Sequence, residues 1–90
     1  MLYMVIEHFN QGASVEIYRR ARDRGCQLPP GLEYVDSWVD LDYVTCFQLM
    51  RTDDPSLFDT WTKSWSALAR FEIIPVRTST EAAKNIAHRL

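Results

Sequence analysis

The stretch LEYVDSWVDLDYVTCFQLMRT, residues 32–52, constrains the fold more than any other part of the chain. It carries β-branched and aromatic residues on both sides of a short acidic segment at residues 40–42. This pattern predicts two strands joined by a tight turn. The remainder of the chain is expected to cover this hairpin.

Alternation assigns the side chains of the hairpin to two faces. On its first strand Tyr34, Asp36 and Trp38 are predicted to share a face that is both polar and aromatic. On its second strand Cys46 and Gln48 are predicted to share a face. Several of the residues between them, which point to the other face, are also apolar. We therefore expect neither strand to have a face that is fully exposed to solvent.

The remaining elements follow from helical spacing, alternation and turn residues. Strands are predicted at residues 2–8, 32–40, 43–51 and 71–78, and helices at residues 15–24, 55–68 and 81–88. Ser14, Asp54 and Thr78 are placed to cap the N-termini of the three helices. Pro75 lacks a backbone donor, so the last strand is expected at an edge of the sheet.

The order βαββαβ with a terminal helix predicts a single α+β domain over residues 1–90, with a ferredoxin-like arrangement. In that arrangement two helices cover one face of a four-stranded antiparallel sheet. The first strand carries apolar side chains on both faces: Leu2, Met4 and Ile6 against Tyr3 and Val5. A monomer would therefore expose an apolar sheet face, and we expect a homodimer that forms through this open face.

Composition argues against several classes of function. Twelve acidic and ten basic residues give a net charge of −2, which does not favour nucleic-acid binding. The N-terminal segment is apolar for only six residues and has no basic leader, so neither a signal peptide nor a membrane span is predicted. The two histidines and two cysteines match no metal spacing, and no cofactor motif is present. Isolated cysteines are typical of a reducing, cytoplasmic setting.

Four segments resemble a known family: MLYMVIEHF, YVDSWVDLD, CFQLMRTDD and FEIIPV. They are similar to a family of short bacterial proteins classed as a domain of unknown function, and the likeness covers nearly the whole chain. The order of elements also resembles the dimeric α/β-barrel superfamily, in which two ferredoxin-like subunits pair sheet to sheet. The resemblance implies a fold and a dimer, but it implies no catalytic residues. The superfamily includes monooxygenases, isomerases and haem-degrading enzymes, so its fold does not define an activity.

His8 and Asp36 are the candidate catalytic residues. Histidine exchanges protons near neutral pH, but the adjacent Glu7 points to the opposite face of the strand, so the two are not a ready dyad. The alternative for His8 is a structural role at the end of the strand. Asp36 can accept a proton if its face lines a pocket, and the alternative is a structural hydrogen bond within the subunit or across the dimer.

The candidate ligand-binding residues are aromatic or amide side chains: Tyr34, Trp38, Gln48, Trp61 and Trp65. Aromatic rings can bind a flat organic molecule. The alternative for Trp61 and Trp65, one turn apart on the second helix, is that they form part of the core. Cys46 is interpreted as a small buried hydrophobic residue.

These observations leave three hypotheses open. The first is a small cytoplasmic homodimer that binds a small organic molecule in a cavity beside the sheet. The second is a cofactor-independent monooxygenase or isomerase that uses Asp36 or His8 for proton transfer. The third is a protein-interaction or regulatory module. A closed cavity that contains Asp36 or His8 favours the enzyme, whereas a cavity without a positioned acid or base favours the binding protein.

Overall fold

The computed structural model describes residues 1–90 as four strands and three α-helices, with a short 3-10 helix at the C-terminus. The elements are β1 (Leu2–Phe9), α1 (Ser14–Arg24), β2 (Glu33–Val39), β3 (Thr45–Arg51), α2 (Leu57–Lys63), β4 (Ala69–Val76), α3 (Ser79–Ile86) and the 3-10 helix (Ala87–Arg89). The predicted order of elements is confirmed. None of the helices combines the length and apolar character needed to cross a bilayer.

The four strands form one sheet in the order β2-β3-β1-β4. Each strand is antiparallel to its neighbours. This order, together with the βαββαβ succession of elements, confirms the predicted ferredoxin-like α+β fold. β4 lies at an edge of the sheet, as Pro75 predicted.

The hydrophobic core lies between α2 and one face of the sheet. Tyr3 and Val5 from β1 and Met50 from β3 pack with Phe58 and Trp61 from α2. The rings of Tyr3 and Phe58 meet edge to face with their centroids 5.0 Å apart. A large apolar side chain that is fully buried contributes about 1.5–3 kcal/mol, so this cluster supplies much of the stability of the chain.

Two of the three predicted helix caps differ from the structure. Ala13, not Ser14, occupies the N-cap of α1, and no side chain bonds there. Asp54 accepts hydrogen bonds from the backbone and the hydroxyl of Ser56, so it stabilises the turn before α2, which begins at Leu57. The prediction for α3 is confirmed, since the Thr78 hydroxyl accepts a hydrogen bond from the backbone N–H of Glu81.

An irregularity in β2 corrects the predicted faces of that strand. Tyr34 pairs with Met50, but Asp36 pairs with Leu49, so Val35 is an extra residue and the register shifts between them. Such a bulge reverses the side-chain alternation beyond it. Tyr34 therefore lies on the helix-covered face, whereas Asp36 and Trp38 lie on the opposite face. The prediction that the three side chains share one face is wrong.

The second face of the sheet is not covered by any element of the chain. We call this the open face and define it by Met4, Ile6, Trp38, Phe47, Leu49 and Ile74, which lie in adjacent rows of the strand register. Trp38 is 52% exposed there. Arg51 and Glu33 lie beyond one end of these rows and Arg70 lies beyond the other. Asp36 on β2 and Glu72 on β4 occupy the outer ends of the rows themselves. The open face thus has an apolar centre and an ionic border.

Candidate functional site

A cavity of about 270 Å³ lies between α1 and the helix-covered face of the sheet. Ten of its thirteen lining residues are hydrophobic. From the sheet the lining side chains are Glu7 and Phe9 of β1, Tyr34, Ser37 and Val39 of β2, and Cys46 and Gln48 of β3. From the helical layer they are Ile17, Tyr18, Ala21, Cys26, Trp61 and Trp65. The cavity is therefore apolar with a few polar groups, which is typical of small-molecule sites.

The local sequence explains why α1 stands over this space. Ile17, Tyr18 and Ala21 form its narrow apolar stripe, and all three line the cavity. Ile17 and Ala21 are half-buried, whereas Tyr18 is exposed. Gly25 ends the helix with a positive φ of 69°, and its N–H donates to the Ala21 carbonyl over 2.8 Å. The Nε1 of Trp61 donates to the Cys26 carbonyl over 2.9 Å, which ties the segment after α1 to α2.

Glu7 and Cys46 form the polar part of the sheet side of the cavity. They are register partners on β1 and β3, so the Cys46 thiol and the Glu7 carboxyl are neighbours on the same face of the sheet. Burial raises the pKa of Glu7 above its ordinary value of 4.5, and the neighbouring Cys46 thiol, which favours the carboxylate, offsets only part of this rise. Burial, and next the neighbouring negative charge of Glu7, raise the pKa of the Cys46 thiol. The thiol is therefore protonated at neutral pH.

Gln48 lies one row farther along β3, on the same side as Cys46. Its Nε2 contacts the Met50 sulfur at 3.3 Å, a weak acceptor, and the residue is 7% exposed. Gln48 therefore has hydrogen-bonding capacity that the core does not use.

Aromatic side chains form much of the wall. Tyr18 meets Phe9 and Tyr43 edge to face, with centroid distances of 6.5 Å and 6.0 Å. The Arg20 guanidinium lies 5.2 Å from the ring centroid of Trp65 and donates to the Ser64 carbonyl. The Nε1 of Trp65 is buried and has no hydrogen-bond partner within the chain. A buried donor without a partner costs about 1–3 kcal/mol.

Four of the predicted ligand-binding residues are brought together at the cavity: Tyr34, Gln48, Trp61 and Trp65. The Tyr34 hydroxyl lies 2.6 Å from the Ser37 hydroxyl, which fixes the tyrosine at the β2 side. Trp61 and Trp65 belong to the core, as the alternative interpretation predicted, and they also line the cavity. Their role in ligand binding stays a prediction.

The other three predicted site residues lie on the open face and do not reach the cavity. Trp38 is the fifth of the ligand-binding candidates, and the exposed Asp36 accepts from the backbone N–H of Ser37 over 2.8 Å. His8 Nε2 lies 3.4 Å from Glu72 Oε1, at ion-pair distance but without hydrogen-bond geometry. The cavity of the single chain therefore contains neither candidate catalytic residue.

Sequence reasoning did not identify Glu7 as a site residue. It treated Glu7 only as the neighbour of His8, although the alternation of β1 already placed it on the same face as Tyr3 and Val5. The sequence did contain a signal for Glu7, because it places a carboxylic acid on the sheet face that the helices are expected to cover. For metal ions, the structure contains no group of three or more His, Cys, Asp or Glu side chains that could hold one.

Comparison with known proteins gives one family. The model of the family described as a domain of unknown function (DUF3303) matches residues 1–90. No curated protein and no solved structure gives a significant match.

Proposed function

The chain belongs to the DUF3303 family, a domain of unknown function, and we propose that it binds a small organic molecule in the cavity between the sheet and α1. The observation that carries this proposal is an apolar and aromatic space that holds one carboxylic acid and a few other polar groups. Binding sites for small molecules have this composition, because apolar walls supply affinity and a few polar groups fix orientation.

The size of the cavity limits the ligand. An engineered apolar cavity of about 150 Å³ in another protein holds benzene. A volume of about 270 Å³ is therefore suited to a molecule of about the size of a bicyclic aromatic compound.

Native mass spectrometry of the purified protein tests this proposal. We expect a retained small molecule, or uptake of an added bicyclic aromatic probe, with one molecule bound per chain. Ala21→Leu narrows the cavity from the α1 side and is expected to reduce this binding about tenfold or more, as a lost apolar contact of ~1.4 kcal/mol would. Ala83→Leu makes the same change on the exposed surface of α3 and serves as the control. Equal binding by the wild type and Ala21→Leu would contradict the proposal.

The proposal includes a homodimer in which two open faces meet. An apolar centre with an ionic border is typical of the anatomy of a protein interface. A symmetric pairing would remove the exposed Trp38 and Phe47 from water without requiring another element of the chain. We propose a second copy of this chain as the partner.

Light scattering after size exclusion tests the dimer. The wild type is expected to have the mass of two chains at micromolar concentration, and Phe47→Lys is expected to have the mass of one. Leu41→Lys is the control, because Leu41 is 95% exposed in the turn after β2 and lies outside the open face. A wild-type monomer would exclude this assembly.

A second candidate function is a cofactor-independent proton-transfer enzyme, and Glu7 is the observation that favours it. Glu7 is a carboxylic acid with a raised pKa inside the cavity, a combination suited to a general base. Deuterium incorporation from D2O into a bound molecule, followed by mass spectrometry, tests this activity. Incorporation that is lost in Glu7→Gln supports the enzyme, and binding without incorporation supports a binding protein.

For the compartment, we propose the cytoplasm. Cys26 and Cys46 are both free thiols, and the pKa of each is raised mainly by burial. Free, weakly reactive thiols fit a reducing environment.

A further inference from the structure

We propose that the cavity selects molecules that carry a protonated nitrogen on an aromatic or apolar body, with Glu7 as the counter-ion. This inference rests on the proposed binding function and names the chemical class of its ligand. Glu7 is then the residue that determines specificity, and the aromatic walls hold the body of the ligand.

The charges around the cavity support a cation. Glu7 is the one carboxylic acid among the lining residues, and none of them is lysine, arginine or histidine. Glu7 takes part in none of the six ion pairs of the chain. No lining residue would compensate the charge of an anionic ligand beside Glu7, since the nearby Arg20 lies over the Trp65 ring and does not line the cavity. A cationic ligand would supply the partner that Glu7 lacks.

The aromatic walls favour the same class of ligand. Tyr18, Trp61 and Trp65 line the cavity, and aromatic ring faces attract cations, tryptophan most strongly. The chain already uses this attraction once, because Arg20 lies over the Trp65 ring. A ligand with a charged nitrogen near Glu7 and a flat body can therefore contact both the carboxylate and the rings.

The protonation of Glu7 makes this binding dependent on pH. The titratable groups that face it are Cys46 on β3, Tyr18 on α1 and Cys26 after α1, with Tyr34 on β2 also in the lining. These groups are neutral when protonated, and their ordinary pKa values lie well above that of a carboxyl group. A bound cation requires the carboxylate form of Glu7. At pH values below the raised pKa of Glu7, binding of a cation must therefore release up to one proton from the Glu7 carboxyl group.

Three probes of the same shape test the inference by isothermal titration calorimetry: 2-naphthylmethylamine, 2-naphthylmethanol and 2-naphthoate. They carry a positive, a neutral and a negative group on one bicyclic body, and the amine is protonated at neutral pH. We expect the amine to bind about 10- to 100-fold more tightly than the alcohol, as a charge-assisted hydrogen bond predicts. Titration of the amine in buffers that differ in ionisation enthalpy is expected to show proton release near the pKa of Glu7.

Glu7→Gln keeps the size and hydrogen-bonding capacity of the side chain and is expected to remove the preference for the amine without weakening the alcohol. Glu16→Gln, on the exposed surface of α1, makes the same change in charge and is the control. If the wild type binds the amine no more tightly than the alcohol, this inference is overturned but the proposed binding function stands. The same conclusion follows if a folded Glu7→Gln variant binds both probes more weakly by the same factor. If none of the three probes binds to the wild type, both the inference and the proposed function fail. The wild-type comparison and the proton release decide the question even if Glu7→Gln does not fold.

Discussion

α1 and α2 cover the same face of the sheet, yet the packing beneath them differs. Under α2, Phe58 is 2% exposed, and Val5 and Met50 are fully buried. α1 has no buried residue, and the space beneath it is the cavity. One half of the helix-covered face is thus a close-packed core, and the other half is a candidate site.

The difference follows from side-chain size and polarity. α2 directs Phe58 at an apolar part of the sheet formed by Tyr3, Val5 and Met50, and these side chains pack closely. α1 directs smaller side chains such as Ala21 at a part of the sheet that carries Glu7. Close packing over a carboxyl group without a charged partner would cost several kcal/mol. The space next to Glu7 therefore limits this desolvation penalty without removing it, since burial still raises the pKa of Glu7. The same layer of the fold thus supplies both stability and a site.

Removal of a large side chain from each half gives the largest expected contrast. Phe58→Ala is expected to lower the free energy of unfolding by about 3–5 kcal/mol, because it leaves a void in the packed half. Ile17→Ala, in the half with the cavity, is expected to lower it by about 1–2 kcal/mol, below the range for a buried isoleucine. Urea unfolding at one protein concentration measures both values. Equal losses would show that the two halves are packed alike.

The two tryptophans at the boundary between the halves provide a finer comparison. Trp61 Nε1 donates to the Cys26 carbonyl, whereas the buried Trp65 Nε1 has no partner in the chain. Trp61→Phe and Trp65→Phe both leave a void of similar size in the core. Trp61→Phe also leaves a carbonyl without its donor, so it is expected to cost about 1–3 kcal/mol more than Trp65→Phe, which removes an unpaired donor. The same unfolding assay separates the two, and a larger loss for Trp65→Phe would indicate that its Nε1 is bonded in solution.

The sequence predicted the order of elements and most of the faces because burial imposes a period on each strand and helix. Alternation in β1 and β3 separated the two sides of the sheet correctly, since both strands pair without interruption at the centre of the sheet. In β2 the same reasoning failed at Val35. A β-branched residue suits a bulge as well as a regular strand position, so nothing in the sequence signalled the extra residue.

The site was only partly predictable for a related reason. Gln48, Trp61 and Trp65 were proposed from residue type, and the structure does place them at the cavity. The cavity itself depends on how far α1 stands from the sheet, which is a tertiary property that no local pattern encodes. Glu7 was overlooked because a charged residue near the end of a strand is usually solvated, and only the cover supplied by α1 makes its environment unusual.

The pH dependence of stability gives the smallest expected effect, and it tests the half with the cavity alone. In the unfolded chain Glu7 titrates near its ordinary pKa of 4.5, and in the folded chain burial raises that pKa. Over the interval between the two values the native state holds a proton that the unfolded state has lost. The contribution of Glu7 to the free energy of unfolding therefore falls as pH rises from about 4.5 through the raised pKa. Glu7→Gln is expected to remove this fall, so its stability relative to wild type increases across the interval.

Urea unfolding of the wild type, Glu7→Gln and Glu16→Gln at closely spaced pH values measures this difference. The exposed Glu16 pairs with Arg19 on the surface of α1, so its variant should keep the fall that Glu7 causes. Parallel curves for the wild type and Glu7→Gln would mean that the Glu7 carboxyl is well solvated in the folded protein. In that case the polar part of the cavity is open to water, and the contrast between the two halves is one of packing alone.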